Sequence, residues 1–73
     1  MSGAALDDVV RTAGRRIVAA LAARYRDLDI AEDALADACA RALGAWRRGG
    51  VPRDAAAWLF RVADNCALDE LRR

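Results

Sequence analysis

Three stretches of this chain repeat apolar residues at the three- and four-residue steps of an α-helix, with polar residues between them. In the first, Leu6, Val10, Ala13, Ile17, Leu21 and Tyr25 fall on one face, which predicts a helix from about Ala4 to Tyr25. Asp7 and Asp8 near its start and Arg24 near its end suit the helix dipole. In the second, Ile30, Ala34, Leu35, Ala38, Cys39, Ala42, Leu43 and Trp46 form the apolar side of a helix from Ile30 to about Trp46. Asp29 is expected to cap it, with Glu32 in the capping-box position. Arg47 to Arg53 then break the pattern: Gly49 and Gly50 permit left-handed backbone and Pro52 blocks continuation. Asp54 is placed to cap a third helix from Ala55 to about Leu71, with Trp58, Leu59, Val62, Ala63, Cys66 and Leu71 inward.

The polar positions of these helices are also sided. On the third, Arg61, Asp64, Asn65, Asp69 and Arg72 make one stripe, at offsets of three, four, eight and eleven from Arg61. Such a stripe is either a nucleic-acid surface or a solvated face. On the second, Asp33, Asp37 and Arg41 recur every four residues, and the plain reading is an exposed row of ion pairs. Arg11, Arg15 and Arg16 lie outside the first helix's apolar face, solvated or available to a partner.

Composition narrows the class. A chain of 73 residues holds one small domain. The hydrophobic fraction of 56% is inflated by alanine, so burial must come from closely packed helices. Alanine, leucine and arginine favour helix and β-branched residues are scarce, which predicts an all-α, compact three-helix domain over residues 1–73. A short extra helical turn near the loop fits this plan.

The net charge of +1 gives no overall basic signature, although all twelve positive charges are arginines. GC-rich coding accounts for that choice, and so does phosphate or base contact by the guanidinium fork. Position is more telling. Arg47, Arg48, Arg53, Arg61, Arg72 and Arg73 gather towards the C-terminus, whereas Asp27, Asp29, Glu32, Asp33 and Asp37 cluster in the middle. The asymmetry points to two faces with different partners.

Several chemistries are poorly supplied. Without histidine there is no Ser–His–Asp or Cys–His arrangement. Cys39 and Cys66 cannot complete an ordinary zinc site and read as small apolar residues of the interior. Gly49-Gly50 lacks the Lys-Ser/Thr of a phosphate loop. Asp33 and Asp37 alone make a weak cation site. No enzyme activity, cofactor or metal is expected. The sequence shows no signal peptide and no membrane-length apolar run, which makes the cytoplasm the expected location.

Three segments, taken in order, resemble a known family. They are Asp27-Leu-Asp-Ile-Ala-Glu-Asp33-Ala-Leu-Ala-Asp37-Ala, Ala45-Trp-Arg-Arg-Gly-Gly-Val-Pro52, and Ala57-Trp58-Leu-Phe-Arg-Val-Ala-Asp-Asn65-Cys-Ala-Leu-Asp69-Glu-Leu-Arg-Arg73. Together, from about Val10 onward, they look like the N-terminal domain (region 2) of extracytoplasmic-function RNA polymerase sigma factors. The resemblance implies that the second helix binds the clamp helices of the largest subunit of core RNA polymerase. Asp33 and Asp37 match the family's acidic positions and Arg41 continues that face. Ala36 stands where glutamine is frequent and Cys39 where an aromatic is frequent.

It implies further that the loop and third helix recognise and melt the promoter minus-ten element and capture an unstacked non-template base. Gly49, Gly50 and Arg53 match the loop, Arg61 and Asn65 would meet base edges, and Arg47, Arg48, Arg53, Arg72 and Arg73 phosphates. Trp46 and Trp58 are expected in the core. An anti-sigma factor is a further partner the family admits, and no membrane is implied.

The family continues into a second DNA-binding domain, region 4, which is expected to be absent here. The chain is then either an excised domain or a naturally short relative. Two other readings remain from the residues alone. One is a helical protein-interaction or dimerisation module without nucleic acid. The other is a helix-turn-helix binder of duplex DNA, disfavoured by the long gap before the third helix.

Overall fold

A computed structural model describes residues 2–73, leaving Met1 outside the described residues. Three helices make up the fold: α1 (Ser2–Tyr25), α2 (Leu28–Gly49) and α3 (Ala55–Arg72). They pack into a body of 34 × 24 × 16 Å, in which α1 and α3 both lie along α2 and touch each other least. Leu35 reaches Gly14, and Trp46 meets Trp58, so α2 runs back along α1 and α3 back along α2. Ala13 and Ile17 share a groove with Ala56 and Phe60, while Tyr25 reaches Asp64. These pairings make α1 and α3 parallel.

Alanine governs the core. The buried stripe of α2 is Ala31, Ala34, Ala38, Ala42 and Trp46. It meets Leu6, Ala13, Ile17 and Leu21 of α1 and Leu59, Ala63, Cys66 and Ala67 of α3. Small side chains let the helix backbones approach closely, and Leu21 and Leu59 supply the largest fully buried volumes. Gly14 serves the same end: a Cβ there would stand 3.4 Å from Val10 Cγ1 and 3.7 Å from Leu35 Cδ2. The expected apolar faces are largely those observed, with one clear departure on α2 and one on α3. Leu43 is 43% exposed and Leu71 47% exposed, because the α2 stripe is centred on Ala31, Ala38 and Ala42, and the α3 stripe ends at Ala67.

The helix ends correct the sequence reading once and agree with it once. Asp27, not Asp29, caps α2, accepting from the Ile30 backbone N–H at 3.0 Å. The helix thus begins two residues earlier than expected, and Asp29 lies in its first turn, favourable to the dipole. Arg26 takes a left-handed φ of 57° to make the two-residue turn from α1. Asp54 caps α3 as expected, accepting from Ala57 N–H at 3.0 Å. The extra helical turn near the loop is not a separate element, since α2 itself continues through Gly49.

Candidate protein-binding and nucleic-acid-binding faces

Asp33, Asp37 and Arg41 are all exposed on α2. The expected row of ion pairs does not form: among the described residues the ion pairs are Arg11–Asp8, Arg24–Asp64 and Arg73–Glu70. The charges of Asp37 and Arg41 are felt at Cys66 on α3. Burial pushes the Cys66 thiol above its ordinary pKa; Arg41 opposes that shift, and Asp37 and Asp69 add to it. Burial alone raises Cys39. Both cysteines are free, Cys66 buried and Cys39 half-buried. Ala36, Ala40 and Leu43 are exposed on the same helix and give the acidic row an apolar border. The three- and four-residue steps concealed Leu43, since its spacings from Cys39 and Trp46 suit a buried position as well.

The loop from Gly50 to Asp54 separates this surface from α3. Gly50 ends α2 with φ 89° while donating its N–H to the Trp46 carbonyl at 2.9 Å. A side chain in that conformation is strained, so glycine is required there. Gly49 remains helical. Arg47, Arg48 and Arg53 are exposed, and Arg48 folds back over α2, its Nη1 3.2 Å from where a Gly44 Cβ would stand. Trp46 is buried and meets the half-buried Trp58 edge to face, with centroids 5.4 Å apart at 64°. This pair is a core anchor under the loop, although the Trp46 indole N–H has no acceptor among the described residues.

On α3, Arg61, Asn65, Asp69 and Arg72 are exposed on one face, as the stripe requires. Arg61 and Arg72 are free of ion pairs among the described residues, as are Arg47, Arg48 and Arg53. Arg73 pairs loosely with Glu70 at 3.7 Å. Arg72 and Arg73 lie in the last turn and beyond, about 16 Å along the axis from Arg61 at 1.5 Å per residue. The arginines therefore form a track and not a cluster.

Asp64 departs from the stripe. Its carboxylate accepts from the Tyr25 hydroxyl at 2.6 Å and lies 3.7 Å from Arg24 Nε. Sequence periodicity could not reveal this link, because the partners are 39 residues apart.

Neither of two open grooves is lined by an expected site residue. One, between α1 and α2, is lined by Val10, Val18, Leu28 and Leu35 with Arg15 and Glu32; the other, between α1 and α3, by Ile17, Phe60 and Arg16. No group of three or more cysteine or carboxylate side chains converges among the described residues. No helix among them is long and apolar enough to cross a membrane.

The model of the sigma-70 region 2 family matches residues 3–73, and the chain belongs to that family. Region 2 is the part of a sigma factor concerned with core polymerase binding and promoter melting, and it is not an enzyme family. The chain is also 44% identical, over 68 residues, to an uncharacterized protein of Rhizobium meliloti (strain 1021). That match covers 93% of this chain and 16% of the relative, so the chain spans about a sixth of the relative's length. No solved structure matches it.

Proposed function

We propose that this chain is the region of an extracytoplasmic-function sigma factor that binds core RNA polymerase through α2 and captures the minus-ten non-template strand through the loop and α3, in the cytoplasm. The observation that carries the reading is the division of unpaired charge. Among the described residues Asp33 and Asp37 on α2 have no ion-pair partner, and neither do Arg47, Arg48, Arg53, Arg61 and Arg72 around the loop and along α3. An acidic row attracts a basic protein surface and repels phosphate; the arginine track does the reverse. Asp33, Asp37 and Arg41 meet the clamp helices, with Ala36 and Ala40 admitting close approach. Arg61 and Asn65 hydrogen-bond base edges; Arg47, Arg48, Arg53, Arg72 and Arg73 contact phosphates. Gly49 and Gly50 leave the loop backbone open, since a Cβ at either would meet nothing within 4 Å.

Pull-down with core polymerase tests the division. Asp37→Arg should lower capture by at least about tenfold, since truncating or reversing a hot-spot charge costs upwards of about 2 kcal/mol. Arg61→Ala and Asn65→Ala should leave capture intact and reduce promoter opening by the assembled holoenzyme. Equal loss of capture in all three variants overturns the two-face reading.

A second reading, a helical dimerisation module, draws on the apolar groove between α1 and α2, where Leu28 is 56% exposed. A concentration-dependent dimer in sedimentation, with no polymerase capture, would favour it.

A further inference from the structure

Asp64 stands three residues after Arg61, the spacing at which an arginine and an aspartate on one helix pair readily. They do not pair here. The Asp64 Oδ1 atom is taken by Tyr25, whose hydroxyl donates to it at 2.6 Å, and Arg24 Nε lies 3.7 Å from the same oxygen. The Arg24 guanidinium also lies 5.7 Å from the centre of the Tyr25 ring, so the two α1 residues form one unit. This is the only side-chain hydrogen bond among the described residues that joins two helices.

We propose that Tyr25 and Arg24 are positioning residues that hold the Asp64 carboxylate against α1 and thereby keep the Arg61 guanidinium free for nucleic acid. The inference rests on the nucleic-acid role of α3 proposed above. Released from Tyr25, Asp64 would turn along its own helix to Arg61 and neutralise the side chain at the centre of the track. It would also add a second carboxylate, beside that of Asp69, to the face that the strand approaches. Tyr25 is suited to the task because its hydroxyl stays protonated: the hydrogen bond to Asp64, above all, raises its pKa from the ordinary 10.0. It therefore remains a donor across the whole physiological range.

The test is a titration of the isotope-labelled 73-residue chain with a mixed-sequence single-stranded oligonucleotide at low salt, followed by NMR, which reads weak affinities directly. Tyr25→Phe keeps ring and net charge, and should weaken binding by about twofold, the worth of one exposed helix ion pair. Asp64→Ala removes the same hydrogen bond together with the competing carboxylate, and should not weaken binding. Tyr25→Phe should then have no effect in an Asp64→Ala or an Arg61→Ala background. If Tyr25→Phe and Asp64→Ala weaken binding alike, the bond matters only for folding and the inference fails. It fails also if Tyr25→Phe acts equally with and without Arg61. If Arg61→Ala weakens binding while Tyr25→Phe does not, the inference alone is overturned. If the wild-type chain binds no oligonucleotide, the nucleic-acid reading of α3 falls and takes the inference with it.

Discussion

The seams that α2 makes with its neighbours and the seam between α1 and α3 are built by different means. Along α2 the contact is mostly between small apolar side chains and leucines, with Ala31, Ala38 and Ala42 fully buried. Between α1 and α3 there is less contact, an open groove beside Phe60, and one polar link from Tyr25 to Asp64. Dispersion across a close-packed seam is non-directional and fixes separation. A hydrogen bond to a carboxylate fixes direction. The first kind of seam holds α2 closely on both sides, which suits the polymerase-binding role proposed for its charged face. The second ties the Asp64 carboxylate to the end of α1 by a single directed contact.

The sharpest way to break this contrast is to overfill the alanine seam. Ala38→Leu would force extra methylenes into a site with no exposed surface, at a cost of about 1–3 kcal/mol. In a domain this small, that is a large share of the total stability. Chemical denaturation should show a lowered midpoint, and both faces should lose binding together because α2 supports both. A midpoint unchanged from wild type would mean that the seam is looser than its burial implies.

The same contrast explains what could be read from the sequence. The helices, the Asp54 cap, the loop and the exposure of Arg61 and Asn65 follow from periodicity and capping chemistry, which are local. In alanine-rich α2 the periodicity is less decisive, because Ala31, Ala36 and Ala40 look alike and only packing selects which is buried. Leu43, expected inward, is exposed for that reason. Asp27 and Asp29 are equally good caps in the abstract, and the turn made by Arg26 decides between them. The Tyr25–Asp64 bond has no local signature. Aspartate in a polar stripe reads as solvated until α1 is known to end beside it.

Breaking the polar seam should be gentler. Tyr25→Phe removes one hydrogen bond between partly exposed groups and leaves the ring in place, so the expected loss is about 1 kcal/mol. The Asp64 carboxylate can still reach water, which limits the penalty for losing its donor. Denaturant titration should show a smaller shift in midpoint than Ala38→Leu, with the slope unchanged. A loss as large as that of Ala38→Leu would mean that the link carries more of the fold than orientation.

Alkaline titration distinguishes the seams by a still smaller effect. Cys39 and Cys66 flank the α2 seams, and burial raises both thiols above their ordinary 9.0. Tyr25, in the polar seam, is raised above 10.0, first by its bond to Asp64. In each case the folded state holds its proton more tightly than the unfolded chain does. The associated stability is therefore fully present below the ordinary value and is lost as pH rises from there through the raised folded value. Stability should begin to fall above about pH 9 as unfolded thiols ionise, and a second decline should set in above about pH 10 as unfolded tyrosine follows. Replacing both cysteines by alanine should remove the first decline and leave the second; Tyr25→Phe should do the opposite. Denaturation midpoints measured across that range provide the check. If the declines do not separate in this way, the thiols and the phenol do not report on separate seams.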